Sequence, residues 1–177
     1  IPILHELLAA FSWPLYEFDD YEADDIMATL DKQAEQHGGI ETYLITSDLD
    51  ALQILDQNTY LYALKKGLTN IDKFDIPAFE KRYGIRIGQF LDLKSLKGDS
   101  SDNIPGVPGV GEKTAVKLLQ QFETLDGVYE NLWQIKDSLR RKLEAGKKSA
   151  YMSRELARLF TDAPVKLDLA AMDVRDL

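Results

Sequence analysis

Apolar positions along this chain follow two spacings, and the switches between them mark out an α/β first half and an all-helical second half. Residues 3, 4, 7, 8 and 11 are apolar, which predicts an amphipathic helix over Ile3 to Phe11 with Pro2 in its first turn. A short strand is predicted over Leu15 to Phe18. Glu22 to His37 reads as a second helix, buried along Ile26, Met27, Leu30 and Ala34 and ended by Gly38-Gly39. Thr42 to Thr46 is unbroken in apolar and β-branched residues, so a buried strand is expected there, followed by a short helix over Ala51 to Leu55. Strands over Thr59 to Leu64 and Leu68 to Ile71 come next, joined by a turn at Lys65-Lys66-Gly67. Ile76 to Tyr83 is a helix begun with Pro77 and stopped by Gly84, and Gln89 to Leu96 is another. Beyond it the period stays helical, over Lys113 to Phe122, Thr124 to Tyr129, Ile135 to Leu143 and Ser149 to Phe160, with a short strand at Val165 to Leu167. A start on a helix followed by a strand suggests an interior boundary of a larger protein.

The halves meet in the stretch Gly98-Asp99-Ser100-Ser101-Asp102-Asn103-Ile104-Pro105-Gly106-Val107-Pro108-Gly109-Val110-Gly111-Glu112-Lys113-Thr114-Ala115. Two carboxylates, Asp99 and Asp102, run into a glycine-studded hairpin that opens a helix at Glu112. Gly109 and Gly111 let the backbone at Val110 turn tightly and approach a ligand. The first turn of a helix offers free N–H donors and partial positive charge, so a phosphate is a natural occupant. Lys113 adds a full charge and Thr114 a hydroxyl, while Lys117 lies off the apolar face. By itself, Gly-Val-Gly reads first as a plain turn between two helices; the full eighteen residues are far more specific.

Charge changes this picture by its distribution. The net charge is -9, yet residues 1 to 60 hold thirteen acids against the single Lys32, a balance of -12, and the rest hold twenty basic residues against seventeen acids, +3. The acidic third would repel a polyanion unless cations occupied it, while Lys113, Lys117, Arg140, Arg141, Lys142, Lys147 and Lys148 can meet phosphates directly. A basic run such as Arg140 to Lys148 is equally a solvated face.

Seven acids fall in three groups: Glu22, Asp24 and Asp25 in a helix's first turn; Asp48 and Asp50 just after a strand; Asp99 and Asp102 before the hairpin. Acids suit a helix start, and Asp48 alone would serve as an N-cap, so each group has a structural explanation. Should they converge, each pair about 6 Å apart costs roughly 3 kcal/mol at an effective dielectric near 20, a cost that divalent cations remove. The chain has no cysteine and two histidines, which leaves oxygen ligands and hard cations such as Mg2+ or Mn2+. No apolar run suits a membrane span and no signal peptide is present, so a soluble, cytoplasmic protein without a membrane partner is expected.

Gly98 to Ala115 resembles the signature of the bacterial 5'-nuclease family, that of the 5'-to-3' exonuclease domain of DNA polymerase I. Tyr21-Glu22-Ala23-Asp24-Asp25-Ile26 and Ile45-Thr46-Ser47-Asp48-Leu49-Asp50 are similar to its other acidic motifs, in the same order. The resemblance implies an α/β fold, a truncated PIN-like (resolvase-like) nuclease core over 1–97, and an all-α helix-three-turn-helix DNA-binding subdomain over 98–177. It implies two divalent ions, the first held mainly by Glu22 and Asp24, the second mainly by Asp48, Asp50 and Asp102. Asp25 and Asp99 would bind directly or through water. Gly109, Val110, Gly111, Lys113, Thr114 and Lys117 would grip duplex DNA near a 5' flap or single-strand junction, with a K+ ion at the hairpin as a further implication. Family members carry an amino-terminal segment ahead of these motifs, with more ligands and a helical arch. Without it the chain is expected to bind metal weakly and cleave poorly. A polymerase domain would follow in some relatives. Ser47 and Leu49 depart from the family's habit of glycine and a basic residue there. Two other classes fit the residues: a non-catalytic junction-binding module, and a magnesium-dependent phosphatase with Asp-x-Asp after a strand.

Overall fold

Two helices dominate the first forty residues, α1 (Pro2–Ala10) and α2 (Ala23–His37), each where helical spacing and a start signal coincide. The computed structural model describes residues 2–65 and 70–172. The chain folds as two units, one made of residues 1–42 with 159–177 and the other of residues 43–158.

In the first unit, Glu22 is the N-cap of α2, and a reciprocal pair closes the opening turn. The Glu22 side chain accepts from the backbone of Asp25, and Asp25 Oδ2 accepts the Glu22 N–H at 3.2 Å. Ile26, Ala163 and Val165 are buried together, with Tyr16, Phe18, Tyr21 and Leu30 packed around them. The strand expected over Leu15 to Phe18 does not form. Its alternation is real, since Tyr16 and Phe18 turn toward this cluster, but they meet a helix and not a sheet. The strand expected at Val165 to Leu167 is absent for a related reason: Gln33 of α2 supplies its hydrogen bonds, donating to Val165 O at 2.9 Å and accepting from Leu167 N at 2.8 Å.

The second unit holds a three-stranded sheet in the order β1 (Thr42–Thr46), β2 (Thr59–Leu64), β3 (Ile71–Phe74). β2 and β3 are antiparallel, with Leu61 opposite Phe74 and Leu64 opposite Ile71. Thr59, Leu61 and Ala63 are buried and their neighbours less so, the period expected of a half-covered strand. β1 is less buried than its composition predicts: Leu44 faces inward, while Tyr43 and Ile45 are exposed and Tyr43 stacks on Tyr60 at 5.1 Å. Residues 66–69 of the expected turn and strand lie outside the described residues, and the strand expected over Leu68 to Ile71 instead runs from Ile71 to Phe74. Lys65 is paired with Asp72 at 2.7 Å.

Helices complete this unit: α3 (Ile76–Tyr83), α4 (Phe90–Lys97), α5 (Glu112–Phe122), α6 (Leu125–Glu130) and α7 (Asp137–Ala157). α7 is one helix of 21 residues where the sequence predicts two. Gly146 has the look of a break, but it serves close packing: a Cβ there would lie 2.7 Å from Val107 Cγ1. A mid-helix glycine costs only about 1 kcal/mol relative to alanine, which the contact offsets. Among the described residues, no helix is long and apolar enough to cross a membrane.

Candidate metal centre and hairpin

The second unit gathers three of the seven predicted acids. Asp50 stands in the short 3-10 helix Leu49–Ile54 that follows β1, and Asp99 and Asp102 follow the end of α4. One carboxylate oxygen from each lies within 4.8 Å of the other two. Asp48 caps the 3-10 helix, its Oδ1 accepting from Asp50 N at 2.9 Å, so the capping role foreseen for it is real and also orients Asp50. The loop after α4 is closed by a reciprocal bridge, Asp99 N to Ile104 O at 2.8 Å and Ile104 N to Asp99 O at 2.7 Å.

Between these carboxylates lies a residue that sequence reasoning missed. Lys94 of α4 is buried, with its side chain 1% exposed, and its ammonium pairs with Asp50, with Asp99 at 3.2 Å and with Asp102 at 3.5 Å. The signal was present: Lys94 interrupts the apolar stripe Phe90, Leu93, Leu96, and a lysine at a core position needs a carboxylate partner.

Three carboxylates around one ammonium leave a residual charge of about -2, and pairs about 5 Å apart repel by roughly 3 kcal/mol at a dielectric near 20. Burial pushes the Asp50 carboxyl above the ordinary carboxylate value; Lys94 opposes this, while Asp48 and Asp102 reinforce it. Burial works against the Lys94 charge as well, yet Asp50 and Asp99 hold its ammonium above the usual lysine value. Asp99 is partly buried, but its bonds from Ser101 and the Lys94 charge keep it below the usual range. An all-carboxylate donor set with two unbalanced negative charges fits one hard divalent cation.

Glu22, Asp24 and Asp25 belong to the first unit. Glu22 is exposed and Asp24 half-buried at the start of α2. Asp25 is 6% exposed, with Oδ2 on the Glu22 amide and Oδ1 accepting from Phe160 N at 2.8 Å.

The hairpin is fixed from behind by α7 and open in front. Gly106 N donates to Ser153 Oγ at 2.9 Å, and Ser149 Oγ donates to Gly106 O at 2.7 Å. Gly109 takes a left-handed φ of 78°, and Lys142 Nζ reaches its carbonyl at 3.3 Å. Gly109, Gly111, Lys113 and Lys117 are exposed and Thr114 half-exposed, whereas Val110 is buried and its N–H donates to Val107 O at 3.0 Å. A Cβ at Gly111 would meet nothing within 4 Å, so the space before the α5 N-terminus is open. The basic run of α7 is partly engaged within the chain: Arg140 and Arg141 pair with Asp137, and Lys147 lies over the Tyr129 and Tyr151 rings.

An acidic pocket at the end of a small sheet, joined to a helical hairpin, defines a mixed α/β class with a helical second part. Two family models cover the chain: a 5'-3' exonuclease N-terminal resolvase-like domain matches residues 1–84, and a 5'-3' exonuclease C-terminal SAM fold matches residues 85–177. The chain belongs to the 5'-3' exonuclease family. It is 46% identical over 169 residues to DNA polymerase I of Bacillus caldotenax, covering 95% of this chain and 19% of that protein. To DNA polymerase I of Bacillus subtilis strain 168 it is 41% identical over 174 residues, covering 98% of this chain and 20% of the relative. The chain thus spans about a fifth of these relatives. Among solved structures, T5 5'-exonuclease with bound zinc superposes with a TM-score of 0.74 at 24% identity, over 85% of this chain and 55% of that one. The catalytic core of Rad2 with DNA substrate gives 0.58 at 21%, over 90% and 56%. Both likenesses bear on the fold.

Proposed function

We propose that this chain is the metal-binding and duplex-gripping part of a 5'-to-3' exonuclease and 5'-flap endonuclease that hydrolyses phosphodiesters of DNA and RNA primers in the cytoplasm. The observation that carries the proposal is the meeting of Asp50, Asp99 and Asp102 around Lys94, on the loop that leads into the hairpin. Relatives support it, since a T5 flap endonuclease has been solved with DNA and metal ions. Asp50, Asp99 and Asp102, with Asp48 beside them, would hold Mg2+ or Mn2+. Glu22 and Asp24 are proposed as further ligands from the family motif. When bound, such ions lower the pKa of water and neutralise charge on a departing phosphate oxygen. Lys94 keeps the carboxylates close before they are loaded. Residues 98–177 would grip the duplex through the hairpin Gly109-Val110-Gly111, with Lys113, Thr114 and Lys117 meeting phosphates and a K+ ion helping to bridge them. Such contacts fix position and carry no sequence preference.

The test is cleavage of a 5'-flap duplex by the full protein. Asp102→Asn is expected to lower magnesium-dependent cleavage by about a hundredfold or more, the scale on which single charge-stabilising groups act, while duplex binding persists. Unchanged cleavage would refute the proposal. At the hairpin, Lys113→Ala should weaken duplex binding about equally for every sequence and lower the slope of log affinity against log salt by about 1. A sequence-dependent loss in a fluorescence-anisotropy titration would contradict that role.

A further inference from the structure

Asp25 lies in the acidic motif that the family reading assigns to metal, yet its surroundings show another task. Both its oxygens are occupied by backbone donors, Oδ2 by Glu22 N at 3.2 Å and Oδ1 by Phe160 N at 2.8 Å, and the residue is 6% exposed. It is also the first of a row. One helical face of α2 presents Asp25, Thr29 and Gln33 at intervals of four residues, and each receives a backbone amide of the closing segment. Phe160 N binds Asp25, Ala163 N binds Thr29 Oγ1 at 3.1 Å, and Leu167 N binds Gln33 Oε1 at 2.8 Å. Gln33 returns a bond to Val165 O at 2.9 Å, and Lys32 reaches Thr161 Oγ1 at 2.9 Å. The helix thus acts as a strand edge made of side chains, and the segment 160–167 is strapped along it.

We infer that Asp25 is a positioning residue and not a metal ligand: it ties the turn that carries Glu22 and Asp24 to the segment at Phe160. The chemistry is one of competition. The two bonds fix the carboxylate's orientation, and at 6% exposure it leaves little room for a hydrated cation, so binding one would disturb at least one of these part-buried hydrogen bonds. Glu22 and Asp24 are less buried than Asp25 and precede it in the same turn. Holding Asp25 at both oxygens therefore fixes the backbone from which those two side chains project. The inference rests on the proposed ligand role of Glu22 and Asp24, and deepens it.

The experiment is a Mn2+ titration of the full protein, read by the electron paramagnetic resonance of free Mn2+, with a thermal melt for each variant. Asp24→Asn is the control and should lose affinity by tenfold or more. Asp25→Asn keeps an acceptor for Phe160 N and should bind within about threefold of the native protein. Asp25→Ala removes both acceptors and should weaken binding about tenfold, so that asparagine rescues what alanine loses. Phe160→Pro removes the donor while leaving every carboxylate in place, and should reproduce the alanine effect. An Asp25→Asn variant that binds as weakly as Asp24→Asn makes Asp25 a ligand, and an Asp25→Ala variant that binds like the native protein makes it neither; each result overturns the inference. If Asp24→Asn itself keeps native affinity, the ligand reading of the turn has failed and the inference falls with it.

Discussion

Gly106→Ala is expected to lower the unfolding temperature by roughly 10 °C, through a backbone crossing that admits no side chain. Gly106 has a φ of 60°, and a Cβ built on it would lie 2.2 Å from Gly98 N and 2.6 Å from Lys97 C. The crossing is mutual: Gly98 has a φ of 75°, and its Cβ would lie 2.6 Å from Ile104 O. The obstructing atoms are backbone, so no side-chain rotation relieves them. Left-handed strain contributes about 1 kcal/mol and the enforced displacement another 1–3 kcal/mol. About 3 kcal/mol in all translates to the stated shift for a chain of this size. The loss is expected to reach the carboxylate cluster too, because Asp99 and Ile104 bridge each other immediately beside the crossing. Gly111→Ala is the control. Its φ is -90° and the space around it is open, so its melt should stay within about 1 kcal/mol of native. Differential scanning calorimetry of the two variants decides the matter, and a native-like melt for Gly106→Ala would show that the crossing is looser than described.

What could be read in advance was what short-range signals determine. β2 and α3 fall on their predicted residues because β2 alternates cleanly and α3 carries Asp75, Pro77 and Gly84 at its ends. α5 likewise starts at Glu112 after Gly111 and ends at Phe122. The misreadings share one cause, a partner far away in the chain. Two helices are expected where α7 runs unbroken through Gly146, because Val107, whose Cγ1 closes on that glycine, lies far off in the chain. The segments 15–18 and 165–167 have the residue pattern of strands, but the first packs its aromatic residues against Ala163 and Val165 as well as Ile26, and the second takes its hydrogen bonds from Gln33 of α2. In the candidate site, the carboxylates announce themselves by their spacing, whereas Lys94 lies within a helix whose apolar residues alone give it away. A charge on an apolar stripe is a request for a counter-charge, and the acids at 50, 99 and 102 supply it.

Lys94→Met is the change that this pocket should resist most strongly without metal and tolerate best with it. Methionine fills a similar volume in α4 but leaves Asp50, Asp99 and Asp102 with no cation among them, so their net charge falls from about -2 to -3. Removing one partner of a buried ion pair costs about 3–5 kcal/mol; with Asp102 partly exposed the lower end applies, giving a fall in melting temperature of roughly 10 °C at neutral pH. The penalty should shrink on acidification. Burial already raises the Asp50 carboxyl in the folded protein, and losing Lys94 raises it further. As pH falls from 7 toward 5 the folded state then takes up a proton before the unfolded chain does, so the variant gains stability relative to native in that window. Millimolar Mg2+ or Mn2+ should act in the same direction, restoring more stability to the variant than to the native protein, because a divalent ion replaces the missing ammonium with charge to spare. Melting curves at pH 7.5 and 5.5, each with chelator and with Mn2+, separate these contributions. A variant that melts like the native protein in chelator at pH 7.5 would show that Lys94 does not hold the three carboxylates together.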